Sequence, residues 1–271
     1  GVLAVHHPIR PAQAANGVVN APCSEAAFEI TFNQVKSSGG GTLSFNCGAT
    51  TAITFTSSKA ISSLVTINGG GVMTLSGGDT TRLFEVAPGA ALTLTRVTIS
   101  NGYALSDGGA ILNASGRLVV DQSTFRDNQT PASASGGAIV SYGPLTIAPS
   151  LFEDNQAGNG GALYPRYAGA PTYIANSTFR NNHTTSLTDG WGGALLNWDG
   201  APVTIVDSQF ISNTARTGGA LFNTGPTIIN GNLGIWTGTA LTGFGPGVVN
   251  GTLHLGDPVA QQAQSDLTTA Y

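Results

Sequence analysis

Apolar and polar residues alternate along most of the chain in bursts of four or five. Ala91-Leu92-Thr93-Leu94-Thr95, Arg117-Leu118-Val119-Val120, Pro144-Leu145-Thr146-Ile147 and Pro202-Val203-Thr204-Ile205-Val206 are the clearest. A period of two marks a β-strand with one buried face. Residues 24–36 depart from it: Phe28, Phe32 and Val35 recur at helical spacing behind Ser24, a favourable N-cap, which predicts a short helix. A glycine-rich turn, Ser37 to Gly41, leads into a strand over Thr42–Cys47, and helix and strand together read as a cap. Towards the other end, Asp257-Pro258 is an N-cap and N1 pair. Val259, Ala263, Leu267 and Ala270 follow at near-helical spacing and predict a C-terminal helix.

Between these ends the chain repeats itself. Gly-Gly-Ala occurs at 108–110, 136–138, 160–162, 192–194 and 218–220, each time followed by Ile or Leu (Ile111, Ile139, Leu163, Leu195, Leu221). A second motif, Ser-x-Phe-x-x-Asn, alternates with it at 123–128, 150–155, 177–182 and 208–213; residues 97–102 are a degenerate copy with Ile99 in the Phe slot. Each unit thus holds three short strands separated by Gly- or Asn-containing corners. A unit this small cannot bury its own apolar face, whereas stacked units share a continuous core, as in a solenoid. At about 4.8 Å per coil, roughly eight coils give a rod about 40 Å long.

The motif residues have structural reasons. Gly-Gly allows the corner backbone to take positive φ, and the adjacent Ala is small where the chain turns inward. Phe125, Phe152, Phe179 and Phe210 share one slot and predict an internal aromatic stack. Asn128, Asn155, Asn182 and Asn213 share the next corner, where Asn tolerates the left-handed region and forms a stacked amide ladder. A row of ligands is the functional alternative for these asparagines.

The alternation of GGA[IL] with FxxN over about residues 60–222 resembles the polymorphic outer-membrane-protein repeat of right-handed parallel β-helix proteins. That resemblance implies an all-β, right-handed parallel β-helix and a surface-exposed, often adhesive protein; the family's membrane barrel is absent from these residues. Residues 224–271, which lack a further Gly-Gly-Ala, resemble the opening of the ice-binding-protein-like family, the first coil of a different β-helix and the start of its side helix. The chain accordingly divides into an arm or export-signal remnant (1–20), a cap (21–58), β-helix repeats (59–223) and a C-terminal coil with helix (224–271).

Composition narrows the setting. Glycine numbers 38 and only 9 % of residues are charged, against about a quarter in an average domain. This excludes coiled coils and helical bundles, and 41 % hydrophobic residues exclude wholesale disorder. A net charge of −4 without a basic patch argues against nucleic acid, and no apolar run is long enough for a transmembrane helix. Cys23 and Cys47, an even pair in a chain with so few lysines, fit one disulfide in a secreted or cell-surface protein, and closing that loop contributes roughly 3 kcal/mol. Ala12-Gln13-Ala14 looks like a signal-peptidase site, but the apolar run before it is short. Val2, Leu3, Val5 and Ile9 therefore read either as the tail of an export signal or as an arm that adds as a strand to a second copy of the chain.

Catalytic candidates are sparse, and no catalytic, cofactor or metal residue is assigned. A polysaccharide lyase needs a base, yet the only lysines, Lys36 and Lys59, fall near the cap. Asp127 and Asp154, with Glu153, are the nearest approach to a glycosidase's paired carboxylates, but equivalent positions later carry Asn181 and Ser212. His183 and His254 lack ligand-type neighbours, and His6-His7 reads as a solvated pair. Asp199 and Asp207 flank a strand and read as turn residues. Tyr164, Tyr167, Tyr173, Trp191 and Trp198 fall in longer insertions of neighbouring coils, either packed against the rod or exposed as a contact surface for glycans or protein. Thr54/Thr56 and Thr93/Thr95 form Thr-x-Thr pairs without a repeat in register. The expectation is a non-enzymatic β-helix scaffold, adhesin-like or a self-assembling fibre subunit; an ice-binding protein and a polysaccharide-active enzyme are the alternatives.

Overall fold

Each coil lays one strand in each of three parallel sheets, as the alternation of the two motifs requires. The computed structural model describes residues 14–49, 51–231, 233–235, 247–262 and 265. The first sheet has ten strands; the second and third have seven each. Stacking is in register throughout. Leu92, Leu118 and Leu145 are partners in the first sheet. Ile99, Phe125, Phe152, Phe179 and Phe210 follow one another in the second, and Ile111, Ile139, Leu163, Leu195 and Leu221 in the third. These residues all pack in one core, buried except for Phe210, which packs partly buried against it. The two-residue period aims each of them inward and sends its neighbours outward.

The helix Glu25–Ser37 closes one end, with Ser24 Oγ accepting the Ala27 N–H at 3.2 Å. Its face of Phe28, Phe32 and Val35 is buried, and the Phe28 ring centroid lies 4.8 Å from Phe55 and 6.3 Å from Phe45. Cys23 and Cys47 are disulfide-bonded, Cα to Cα 5.4 Å, and tie the start of the helix to the first sheet. Residues 17–20 are not part of a free arm. They form the strand Gly17–Asn20, paired with Leu43–Asn46 at the sheet edge, because Val19 is apolar and fully buried there. Val2, Leu3, Val5 and Ile9 lie outside the described residues. Lys59, 4 % exposed, is enclosed by Glu25, Glu29 and Ser57 and sits 5.0 Å above the Phe55 ring, while Lys36 donates to the Ala60 carbonyl at 2.9 Å.

The far end departs from the sequence reading. The strand Val248–Asn250 pairs in parallel with Ile228–Asn230 in the first sheet, so the segment after residue 224 extends the same stack instead of opening a different β-helix. The shared alternation is the reason: Val249 stacks on Ile229, in line with the core. A helix begins at residue 258, where Asp257 Oδ1 accepts the Ala260 N–H at 2.9 Å. Ala263, Leu267 and Ala270 lie outside the described residues.

Candidate functional site

The inward motif residues are fully occupied by one another. The four phenylalanine rings stack at 4.7–4.9 Å, within 8° of parallel. Asn128, Asn155, Asn182 and Asn213 form a ladder in which each of the first three amides donates to the next Oδ1 at 2.9 Å. Their second donors go to carbonyls of the coil before, Asn155 to Phe125 and Asn182 to Phe152. With Asn128, Asn155 and Asn182 0 % exposed, this ladder holds the corner and offers nothing to a ligand. One detail corrects the sequence reading. The left-handed residue of this corner is the one before the Asn: Asp127, Asp154, Asn181 and Ser212 have φ of 50–55°. The Asn is instead turned inward, where its amide replaces missing backbone partners. The Ser of the same motif is also a rung, since the Ser123, Ser150 and Ser177 N–H groups donate to the next serine Oγ at 3.1–3.2 Å.

In the Gly-Gly-Ala corner the two glycines have different causes. The first takes positive φ, from 56° to 79°. The second has no room for a Cβ: at Gly137 and Gly161 it would strike the carbonyl oxygen of the equivalent glycine one coil on. This tight corner delivers the third-sheet strands, whose middle residues point outward. They are Leu112, Val140, Tyr164, Leu196 and Phe222, a second apolar cluster on the outside of the solenoid, with Tyr142 and Trp191 packed against it.

The long insertions fold over that cluster and form a lateral groove. Trp191 precedes the strand Leu195–Asn197 and Trp198 follows it; their rings stack at 4.6 Å and 15°, each within 5.8 Å of Phe222. Arg166 crosses the groove. Its Nη1 donates to Asp107 Oδ2 at 2.9 Å and to the Tyr142 hydroxyl at 3.0 Å, and its Nε donates to Asp199 Oδ2 at 3.0 Å. The guanidinium lies 5.3 Å from the Tyr142 centroid and 4.9 Å from that of Tyr164. Tyr164 donates to Asp199 Oδ2 at 2.8 Å, and Asp107 Oδ1 accepts the Ser135 N–H at 2.8 Å. Burial pushes the Tyr164 hydroxyl above its ordinary pKa, and the bond to Asp199 adds to this, so it stays a donor. Burial opposes the Arg166 charge, but Asp199 and the two tyrosines outweigh it and raise its pKa. Two adjoining clefts of about 400 Å³ each open here and share Asp107 and Ser133.

The structure thus brings Tyr164, Trp191 and Trp198 together, with Trp198 44 % exposed and Tyr164 buried. It leaves Tyr167 exposed on the loop beside Arg166. Tyr173 is on another face: it stands outward on the first sheet. Asp199, read from sequence as a turn residue, is a groove residue, and Asp107 and Arg166 were missed. The available signal was the long spacing between the third and fourth Gly-Gly-Ala, which brackets Arg166 and Trp191.

The other candidates stay apart from this groove. Asp127 and Asp154 occupy successive second-sheet corners, and Asp127 has a raised pKa from burial and from the charges of Asp154, Glu153 and Asp79, against Arg126. Glu153 is paired with Arg180. His183 Nε2 contacts Gln156 Oε1 at 2.9 Å, and His254 Nδ1 contacts Asp257 Oδ2 at 2.7 Å. Among the described residues no helix is long and apolar enough to cross a membrane. One row was not legible in the sequence. Strand pairing aligns Thr42, Thr66, Thr93, Val119, Thr146, Tyr173, Thr204 and Ile228 along the outside of the first sheet.

Comparison with known proteins gives two matches. Residues 215–271 match the ice-binding-like family, so that likeness reaches back into the last Gly-Gly-Ala unit. Residues 149–164 match the Chlamydia polymorphic membrane protein repeat, over one FxxN and one Gly-Gly-Ala motif. No curated protein and no solved structure matches the chain.

Proposed function

We propose that the chain is a non-enzymatic, extracellular or cell-surface scaffold of the adhesin kind, which holds the third-sheet groove rigidly for a partner. The observation that carries this reading is the division of labour in the solenoid. Repeated residues saturate one another inside, while the non-repeated aromatic and charged residues of several coils converge outside, around Arg166. Both groove carboxylates accept hydrogen bonds through Oδ2 from that one guanidinium, which ties them to a structural partner instead of leaving them as a free acid–base pair. The disulfide and the polymorphic-membrane-protein repeat match support a surface or secreted setting. Labelled protein incubated with a panel of intact bacterial, fungal and animal cells should bind saturably to at least one of them. Absence of binding across the panel overturns the reading. Screens against pectin, alginate and glycosaminoglycans should give no turnover; turnover abolished by Asp127→Asn or Asp199→Asn would make the protein an enzyme.

A second reading, ice binding, is favoured by two observations: the match over residues 215–271 and the outward threonine row on the ten-stranded sheet. Val119, Tyr173 and Ile228 interrupt that row. Thermal hysteresis in the wild type, lost in Thr93→Tyr, would put this reading first. Self-association end to end is an extension of the scaffold reading. Its support is that the strand Leu221–Asn223 is the last of its sheet among the described residues.

A further inference from the structure

We infer that the groove is a binding site for a neutral oligosaccharide, with Trp198 as stacking platform and Asp199, Arg166 and Asn159 as its hydrogen-bonding edge. The inference rests on the scaffold reading and names the chemistry of its partner.

The argument starts from unspent hydrogen-bonding capacity. Asp199 accepts through Oδ2 only; Oδ1 has no partner among the described residues, and the side chain is 35 % exposed. Arg166 donates through Nε and Nη1, which leaves Nη2 unpaired among the described residues. Asn159 Oδ1 accepts the backbone N–H of Trp191 at 2.9 Å, and its Nδ2 has no partner among the described residues. One free acceptor and two free donors therefore line the same cleft as the Trp191–Trp198 pair. Each is held in place by its satisfied partner atom, so little ordering is needed on binding.

A pyranose matches this combination. Its ring presents a face of C–H groups, which packs on an indole, and an edge of hydroxyls, each both donor and acceptor. A carboxylate oxygen and a guanidinium N–H side by side form charge-assisted bonds to such vicinal hydroxyls. The second cleft, walled by Leu105, Leu112, Ala134 and Tyr142, continues from the first across Asp107 and Ser133. Two clefts in file along a solenoid with an axial repeat of about 4.8 Å suit consecutive sugar units of an oligosaccharide. Charge selects among sugars. The cluster holds one cation and two anions, Arg166 with Asp107 and Asp199, and the cation already bridges both carboxylates. A uronate or sulfated sugar would meet net negative charge, whereas a neutral hexose would not.

The test is calorimetric titration of the full chain with cellohexaose, laminarihexaose, mannohexaose and galactohexaose, and with hexagalacturonate as the anionic counterpart. Saturable binding of at least one neutral hexaose is expected, with binding of the uronate at least tenfold weaker. Trp198→Ala should weaken the neutral ligand at least tenfold. Its exposed indole makes the variant compatible with folding, checked by an unchanged far-UV spectrum and melting temperature. Asp199→Asn keeps the shape but weakens the acceptor, and should weaken binding several-fold. Tyr173→Ala, on the other face, should leave it unchanged. Failure of every neutral hexaose to bind, binding indifferent to Trp198→Ala, or preference for the uronate overturns the inference. Cell binding that persists under any of those results leaves the scaffold reading standing with a different partner, while loss of both removes the two together.

Discussion

Phe152 illustrates how much of this protein is decided at single positions. It is fully buried and sandwiched between Phe125 and Phe179, so truncation leaves a cavity that neighbouring coils cannot close without breaking register. Phe152→Ala should cost about 3–5 kcal/mol in urea unfolding; a loss below about 1 kcal/mol would mean that the stack is not a unit of stability. Glu25 makes a different residue-scale prediction. Burial raises its pKa, but hydrogen bonds from Lys59 and from the Thr56 N–H and hydroxyl outweigh it, and the net shift is downward from 4.5. A carboxyl with a lowered native pKa binds its proton more readily when unfolded. Its contribution is therefore complete above pH 4.5 and disappears as the pH falls through the lower native value. Thermal melts should show the cap weakening on acidification below pH 4.5, and Glu25→Gln should flatten part of that dependence. An unchanged slope in the variant rejects the assignment.

At the scale of elements, the corner motifs set the register of the coils. Gly161 packs against the Gly193 carbonyl and the His183 backbone, so an added methyl group must displace the adjacent coil. Gly161→Ala should lower the melting temperature and speed amide exchange in the strands Leu163–Pro165 and Leu195–Asn197 first. Those strands carry Tyr164 and Leu196, so the same substitution should loosen the groove; exchange unchanged there would uncouple corner and groove. Third-sheet asparagines repeat the principle of the second corner. Asn113 donates to Ser141 Oγ at 2.9 Å and Asn197 to Asn223 Oδ1 at 2.8 Å, all of them buried. These residues end the strands after Gly-Gly-Ala and form two separate buried pairs, with Pro165 at the strand end between them.

The whole molecule is a stack whose sides are closed by coil-to-coil hydrogen bonds and whose ends differ. The helix Glu25–Ser37 and the disulfide cover one end, whereas Phe210 at the last rung of the aromatic stack remains partly exposed. Among the described residues the strand Leu221–Asn223 ends the third sheet; a sheet edge left open pairs with another chain when one is near, and a head-to-tail contact propagates. Sedimentation velocity should therefore show species that grow with concentration, and removal of residues 1–15 should reduce them if that segment supplies the added strand. A monomer at every concentration rejects end-to-end assembly, and growth unaffected by the truncation rejects the arm.

Repetition made the solenoid legible from sequence alone. Gly-Gly-Ala and Ser-x-Phe-x-x-Asn recur once per coil as several-residue motifs, so coil, stack and ladder can be read from them even though the spacing between copies varies. Ser24, Phe28, Phe32 and Val35 likewise announced the capping helix, because a helix is a local structure. The groove followed no period. Asp107, Arg166 and Asp199 are separated by unequal insertions, and only the winding of the chain puts one guanidinium between two carboxylates. The threonine row was hidden for a related reason: coil lengths vary, so residues that stack in space stand at irregular intervals in sequence. Repeated backbone geometry is written locally, whereas side chains brought together by unequal loops become neighbours only once the coils are stacked.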